Sequence, residues 1–457
     1  MSSTSMVNWA PVLNIVLMGL IVAMGPLIWV WLKTRSSPSP APSADGVGQS
    51  SDQLLNAQAQ LKSNQRLLLL AQITLFLTFD LLIFGAFTRL TDSGLGCPDW
   101  PGCYGYTSPG GANEMIQNAQ SLMPTGPVTQ VKAWIEMIHR YLATGVGVLI
   151  LTIALYTVVQ SNPKKLKFAS LFILFWVCLQ GAFGALTVTM RLFPAVVTMH
   201  LMGAVVLLIL LTRFVMGQRS WVQLLLDQFL EHDALLAGNL KLQGEQSLHL
   251  EHIQKAANAL KKATKLDLDS GALNLRWMLR AGLILTLVQI ALGGWVSTNY
   301  AVTACTTFPM CQNSWWPLMN FAQGFELWRP LGVTSGGAYL DFQALTAIHY
   351  LHRLFAYVVF TYVCVLGYFL FKRDSLKTLG KLIWFLIALQ ILTGVSNVIF
   401  QWPLLAAVMH TGGAAALAVA LTIGLKMVQP RHERDMHLRD AQNESKMRHN
   451  EESKGVL

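Results

Sequence analysis

Long apolar runs separated by polar segments dominate this sequence. Eight of these runs are long enough to cross a bilayer as helices, and they cover approximately residues 67–89, 133–159, 167–188, 195–216, 275–297, 344–371, 380–400 and 404–427. Another apolar run, residues 9–32, precedes a stretch rich in Ser, Pro, Ala and Gln, residues 36–65, which is typical of a flexible linker. The pattern predicts an all-α integral membrane protein with nine spans.

Composition and charge agree with a protein in the lipid bilayer. The chain is 53% hydrophobic and only 12% charged, and its mean hydropathy of +0.45 excludes an ordinary soluble protein. The net charge of +10 is explained by basic loops, so no nucleic-acid partner is expected. Loop 90–131 has no Lys or Arg, and loop 298–343 has only Arg329. The positive-inside rule therefore places these two long loops outside the cytoplasm.

The two halves of the chain are a repeat. The segment from Gly85 to Cys103 aligns without a gap with the segment from Gly293 to Cys311. Each half contains a span, a long loop with two cysteines, a span with His-Arg, a third span, and a span with Met-His. Because both halves have the same orientation, they form a parallel repeat. We expect two tandem four-helix transmembrane bundles and one extra N-terminal transmembrane helix.

The predicted domain boundaries follow from this repeat. The domains are the N-terminal helix 1–35, the linker 36–65, the first bundle 66–216, a cytoplasmic insert 217–274, the second bundle 275–427, and a basic cytoplasmic tail 428–457. The insert is expected to be helix-prone around residues 221–235 and 248–265. It joins the two bundles in the cytoplasm.

Ionisable groups inside the apolar runs are the candidates for chemistry, since such groups are costly at membrane depth. Glu136, His139 and Arg140 share one helix face near the outer end of their span. His352-Arg353 recurs at the matching place in the second half, and each half adds one histidine on its last span, His200 or His410. Two imidazoles at similar depth in a four-helix bundle are the arrangement that ligates haem iron from both sides.

Arginines near the same membrane surface are candidates for holding haem propionates by charge-assisted hydrogen bonds. They are Arg89, Arg140, Arg191 and Arg353. Plainer readings remain open for single residues. An intramembrane histidine can be a hydrogen-bonded packing residue, and Glu136 can be a structural partner of Arg140 at the i,i+4 spacing. His349, which aligns with Glu136, is the doubtful fifth histidine.

The loop cysteines form two close pairs, Cys97 with Cys103 and Cys305 with Cys311. Both loops are assigned to the oxidising side, where disulfides persist. We expect an intraloop disulfide in each. A structural role and a redox role are both open for these disulfides. The redox role is the more specific hypothesis for the first loop, because that loop adjoins the helix that contains Glu136.

These residues together resemble a known family. The run Gly85-Ala86-Phe87-Thr88-Arg89-Leu90-Thr91-Asp92-Ser93-Gly94-Leu95-Gly96-Cys97, followed by Glu136-x-x-His139-Arg140, His200, His352-Arg353 and His410, is similar to haem A synthases. The resemblance covers approximately residues 66–216 and 275–427. It implies an eight-span, two-bundle haem protein that oxidises a methyl group of haem O to the formyl group of haem A for cytochrome oxidase.

The resemblance also implies roles for individual residues. His139 and His200 would bracket the substrate haem in the first bundle, and His352 and His410 would ligate a resident haem b in the second. Glu136 matches the family's catalytic glutamate. The implied location is the bacterial inner (plasma) membrane, with the cysteine loops in the periplasm. Haem O synthase would deliver the substrate, and a membrane electron acceptor would be needed. A homo-oligomer is left open.

Two functions from other classes are alternatives. A membrane thiol–quinone oxidoreductase is suggested by paired outer cysteines above a four-helix bundle, but it would not need four intramembrane histidines. A di-haem b electron carrier would bind haem without altering it. A haem spectrum distinguishes the thiol–quinone oxidoreductase from a haem A synthase. Analysis of the extracted pigment distinguishes the electron carrier, which would not convert haem O to haem A.

Overall fold

The computed structural model describes residues 28, 46–239 and 271–428. Its helices are α1 (Gly46–Leu90), α2 (Asn113–Leu122), α3 (Gln130–Val159), α4 (Lys164–Thr189), α5 (Pro194–Asn239), α6 (Gly271–Thr298), α7 (Phe321–Gly324), α8 (Phe342–Phe371), α9 (Lys377–Ile399) and α10 (Leu404–Met427). Short 3₁₀ helices cover Ala301–Ala304 and Asp374–Leu376. Within these described ranges, eight helices are long and apolar enough to cross a membrane. The predicted N-terminal helix 1–35 and tail 428–457 lie outside the described residues, except for Ile28 and Val428.

The second half of the predicted linker is helical, which corrects the sequence-based boundary. α1 begins at Gly46 and runs without a break into the first span. The Leu, Ala and Gln residues between positions 54 and 60 favour a helix, and Leu61 and Asn64 are buried against the bundle. The Ser63 hydroxyl lies 2.8 Å from the Tyr156 hydroxyl. The Ser and Pro content that suggested a linker is concentrated before this helix.

The fourth span likewise continues past its predicted end at residue 216. α5 extends to Asn239, so the first part of the predicted insert 217–274 prolongs a transmembrane helix. Gln218 is buried and donates to Asn64 Oδ1 at 2.8 Å, and Trp221 packs into the same apolar cluster as Leu61. The two helices thus support each other beyond the predicted bundle. Residues 240–270 of the insert lie outside the described residues.

The helices form two bundles that meet along their first and last spans. In the first bundle α1, α3, α4 and α5 pack around an apolar core, and in the second α6, α8, α9 and α10 do the same. A third apolar cluster contains Leu82, Val205, Leu208, Ile290 and Ala415, which come from α1, α5, α6 and α10. The second and third spans of each bundle are therefore the ones farthest from the partner bundle.

The outer loops confirm the repeat in three dimensions. Disulfides join Cys97 to Cys103 and Cys305 to Cys311, as predicted. In each loop the second cysteine forms an isolated antiparallel bridge with the residue three positions later, Tyr106 or Ser314. The peptide bonds before Pro101 and Pro309, which are aligned positions, are both cis. Each loop therefore has the same local fold over its own bundle.

Candidate functional site

A cavity of about 1500 Å³ lies at the loop-facing end of the two bundles and is lined by residues from both. All four predicted ligand histidines, His139, His200, His352 and His410, line it. His139 and His200 come from α3 and α5 of the first bundle, and His352 and His410 come from α8 and α10 of the second. The structure thus brings together the two histidine pairs that the repeat predicts.

Each histidine lies against a glycine of a neighbouring helix. A Cβ placed on Gly85 would be 3.0 Å from His139 Cε1, and one on Gly293 would be 2.9 Å from His352 Cε1. Gly184 faces His200 and Gly394 faces His410, with corresponding distances of 3.6 and 3.1 Å. Any larger residue at Gly85 or Gly293 would push on the imidazole ring. The aligned glycines of the two halves therefore fix where the rings can sit.

In the first bundle the Nδ1 atoms of the two histidines lack hydrogen bonds to the described residues. Nδ1 of His139 and Nδ1 of His200 are buried and have no hydrogen-bond partner among the described residues. His139 instead stacks on Phe84, with ring centroids 6.2 Å apart. Buried unpaired nitrogens are unfavourable unless something else satisfies them. Among the described residues, no hydrogen bond at Nδ1 therefore fixes the ring orientation of the first pair.

In the second bundle both histidines have side-chain partners. Thr393 Oγ1 lies 2.9 Å from His410 Nδ1 and donates to the Leu389 carbonyl at 2.7 Å. The hydroxyl proton is thus committed, so the oxygen accepts Nδ1–H and leaves Nε2 available. A hydrogen bond from Nδ1–H is what usually orients a histidine that ligates metal through Nε2, and His410 has this arrangement. The Gln289 amide nitrogen lies 3.1 Å from Nδ1 and 3.4 Å from Nε2 of His352, and it donates to the His352 carbonyl at 3.2 Å.

These features fit haem. The pocket is large and mostly apolar, and two histidines from each bundle line it, which suits a flat apolar group ligated from both faces. Over the described ranges there is no cluster of three or more His, Cys, Asp or Glu residues that could hold a bare metal ion. The residues present therefore fit a haem in each bundle.

Glu136 is almost completely buried, with 3% of its surface exposed. Its Oε2 accepts a hydrogen bond from the Cys97 backbone N–H at 2.8 Å, and its Oε1 pairs with Arg140 at 2.5 Å. It also lines the cavity. The carboxylate therefore links three things: the helix that carries His139, the first cysteine loop and the pocket. The structural pairing with Arg140 that the spacing predicted is present.

Arg140 and Arg353 hold the cysteine loops in place. Arg140 donates to the carbonyls of Asp99, Pro101 and Gly102 at 3.0, 3.2 and 2.6 Å. Arg353 donates to the Cys305 and Thr307 carbonyls at 2.6 and 2.7 Å. The terminal nitrogens that the sequence assigned to haem propionates thus already contact loop carbonyls. Both side chains also line the cavity, so propionate contact stays a prediction.

His349 takes the structural place of Glu136 in the second half. Its Nδ1 lies 3.0 Å from the Ala301 carbonyl, and its Nε2 accepts from Arg353 Nε at 3.2 Å. Both ring nitrogens are therefore engaged in supporting the loop. This explains why the second half has three candidate histidines but one ligand pair.

Arg89 joins the two halves at their outer surface. It donates to the Ser297 carbonyl at 2.7 Å and to the Tyr300 hydroxyl at 3.0 Å, and its guanidinium lies 4.2 Å from the centre of the Tyr300 ring. Asp92 accepts from both Arg89 and Tyr300. Arg89 also lines the cavity. The sequence did not predict this connection. Arg89 and Ser297 are aligned positions of the repeat, and an alignment does not indicate that the two residues contact each other.

Comparison with known proteins agrees with this geometry. The model of the COX15-CtaA family, described as cytochrome oxidase assembly protein, matches residues 68–243 and 247–422, once for each half. A protein of Shewanella oneidensis named "Heme A synthase" is 36% identical over 353 residues, which cover 77% of this chain and 93% of that protein. A protein of Rhizobium rhizogenes with the same name is 25% identical over 391 residues, covering 80% of this chain and 90% of that protein.

The match extends over both bundles, and it includes every histidine, cysteine and glutamate of the site. The chain belongs to the COX15-CtaA haem A synthase family.

Proposed function

We infer that this chain is a haem A synthase, an oxidoreductase that converts haem O to haem A for cytochrome oxidase assembly. The reaction changes a ring methyl group into a formyl group. It removes hydrogen from the substrate as electrons and protons and adds one oxygen atom, which a water molecule can supply. The site therefore needs an electron acceptor, a proton acceptor and access for water. The observation that carries this conclusion is that one pocket holds two histidine pairs, while only one pair has a buried carboxylate beside it.

The two pairs are assigned different haems. His139 and His200 would hold haem O, because their bundle is the one that contains the buried carboxylate of Glu136. His352 and His410 would hold a resident haem b, since Gln289 and Thr393 already orient them. When bound, haem b supplies one-electron redox chemistry. Arg89, Arg140 and Arg353 remain candidates for the propionates of these haems.

Glu136 is the proposed catalytic residue. It sits one helical turn outward from His139 and lines the cavity, where it can accept a proton or orient a water molecule at the porphyrin edge. Arg140 and the Cys97 N–H hold its two oxygens in place. Because the same N–H belongs to a disulfide-bonded cysteine, the conformation of the first loop and the position of the carboxylate are coupled.

The chain is a multi-pass membrane protein, and its proposed location is the inner (plasma) membrane of a bacterium. The cysteine loops are placed in the periplasm, because intraloop disulfides persist on the oxidising side and the basic loops belong in the cytoplasm. The proposed partners are haem O synthase as the source of substrate and a membrane electron acceptor.

Analysis of the haem pigment tests the function. The purified chain is incubated with haem O in membranes that lack other haem A synthase, and the extracted pigment is separated by chromatography. Conversion of haem O to haem A supports the proposal. Haem b binding without any change in haem O would instead indicate the electron carrier, and the absence of haem binding would favour the thiol–quinone oxidoreductase.

A further inference from the structure

The two bundles differ in the size of the side chains that line the cavity between their second and third spans. Three cavity-lining positions are small in the first bundle and large in the second. Given first half before second half, they are Thr144 and Tyr357, Gly147 and Phe360, and Gly181 and Ile391. The first two pairs lie on α3 and α8, and the third lies on α4 and α9. Every change is in the same direction.

The small residues leave open space beside the first histidine pair. A Cβ added to Gly147 or to Gly181 would meet no atom of the described residues within 4 Å. Thr144 and Gly181 are exposed and Gly147 is half-buried, so this space is open at the bundle surface and continuous with the ligand pocket, where it can receive part of a ligand. In this bundle α3 and α4 are also the spans farthest from the second bundle. The gap therefore extends the cavity toward the lipid.

A buried amide next to the gap has an unpaired acceptor, whereas the aligned Gln390 of the second bundle has an unpaired amide nitrogen. Gln180, adjacent to Gly181, is 7% exposed and lines the cavity. Its Oε1 has no hydrogen-bond partner within the described part of the chain. A buried acceptor of this kind is costly unless a donor reaches it. A ligand that is apolar along its length but carries a hydroxyl would satisfy both the gap and the amide.

We propose that the gap formed by Thr144, Gly147 and Gly181 holds the hydroxylated isoprenoid chain of haem O. This rests on the proposed function and deepens it. Haem O differs from haem b by this chain, whose apolar part suits the gap and whose hydroxyl group suits Gln180. The resident haem b has no such chain, and Tyr357, Phe360 and Ile391 fill the matching space in its bundle. The gap therefore distinguishes the substrate haem from the resident one.

Transplanting second-bundle residues tests the proposal. Gly147→Phe and Gly181→Ile are made singly and together, and binding of haem O and of haem b to the first bundle is titrated by absorbance. The titration uses protein already loaded with its resident haem and omits any electron acceptor. We expect haem O to bind about tenfold more weakly to each single variant, the loss for about two methylene groups that are no longer buried. Haem b should bind to the same site with unchanged affinity.

The matched control is Ala182→Leu. This change also copies the second bundle, where Leu392 stands at the aligned position, but Ala182 does not line the cavity. It should leave both affinities unchanged. Equal weakening of haem O and haem b in the glycine variants, or no change in either, would overturn the proposal. These results are independent of turnover, so they are distinct from a failure of the wild-type chain to make haem A.

A measurement on the unaltered chain covers the case in which the variants do not fold. Cys178 is exposed, lines the cavity one turn before Gly181, and is not in a disulfide. Its labelling by an apolar maleimide should be slowed at least about tenfold by bound haem O and little by haem b. Cys364, in the second bundle, provides the internal reference. Equal labelling of Cys178 with the two haems would refute the assignment.

Discussion

The two bundles share their ligand geometry and differ in what surrounds it. In both, a glycine on the first span and a glycine on the third span each face a histidine, and in both an arginine after the first histidine holds a disulfide-bonded loop. The second bundle adds side-chain partners for its histidines: the Gln289 amide lies beside His352, and Thr393 Oγ1 accepts from His410 Nδ1–H. The aligned residues of the first bundle are Leu81 and Phe183, which cannot accept or donate hydrogen bonds through their side chains.

The difference indicates how one duplicated bundle can serve two purposes. Imidazoles oriented by neighbouring side chains favour a haem that stays bound, and so does a cavity wall filled by large side chains. Unsupported imidazoles, open space at Gly147 and Gly181, and the buried Glu136 favour a haem that enters, reacts and leaves. In the proposed function, ligation is common to both halves, while the neighbouring residues decide the fate of the bound group.

Removing the ligands should give the largest difference between the bundles. His352→Ala or His410→Ala should lose the resident haem b entirely, because each haem needs both axial imidazoles. His139→Ala or His200→Ala should retain that haem and lose binding and turnover of haem O. The measurement is the low-spin haem spectrum and the haem-to-protein ratio of the purified variants.

His349→Ala is the control for ligand removal. Both nitrogens of His349 contact the loop and its arginine, so this variant should keep the low-spin haem spectrum. If the spectrum is unchanged in both second-bundle ligand variants, the assignment of His352 and His410 is wrong.

Replacing the carboxylate should affect chemistry and leave haem binding intact. Glu136→Gln preserves size and can still accept from the Cys97 N–H, but the amide cannot take a proton. We expect haem A formation to fall by about 10²–10⁴-fold, the usual contribution of general acid–base groups, with resident haem b retained. Accumulated haem O or a partly oxidised alcohol would accompany the loss. Normal haem A formation would contradict the catalytic role and leave Glu136 as a structural partner of Arg140.

Much of the fold was predictable because it depends on strong local signals. Span positions follow from long apolar runs, and the two bundles follow from a repeat that keeps its histidines, arginines and cysteines. The helix from Gly46 to Asn64 was missed because the Ser and Pro residues before it suggested a linker, although residues 54–60 locally favour a helix. Its packing against α5 through Asn64 and Gln218 is a long-range contact that composition does not contain.

The site was predictable in its residues and less so in its contacts. The alignment of Gly85 with Gly293 and of Gly184 with Gly394 was visible in the sequence, but their approach to the histidines needed the helix packing. The role of Arg353 depended on where the loop carbonyls lie. The contact of Arg89 with Tyr300 crosses between bundles, and spacing along the chain contains no signal for it.

Opening the disulfides should affect the two loops unequally. Loss of either pair through double Cys→Ser substitution should destabilise its loop by about 2 kcal/mol from chain entropy. The Cys97/Cys103 variant should lose more haem A formation than the Cys305/Cys311 variant, since the Cys97 N–H holds Glu136. Thermal unfolding and haem A formation are measured on both. Lost activity with unchanged unfolding would favour a redox role for the first pair, and equal activity in the two variants would contradict the coupling to Glu136.

The smallest expected effect concerns the hydrogen bond that orients His410. Thr393→Val keeps the shape of the side chain but removes the oxygen that accepts from Nδ1. Loss of such a support typically weakens metal binding by about tenfold or more, so haem b should dissociate about tenfold faster while its spectrum stays low-spin. Dissociation is measured by transfer of haem to an excess of apomyoglobin. Thr361→Val, which removes an exposed hydroxyl bonded only to its own helix at Tyr357, should leave the rate unchanged. If Thr393→Val behaves like this control, the tighter hold on the resident haem must come from the filled lining of the second bundle and not from its oriented histidines.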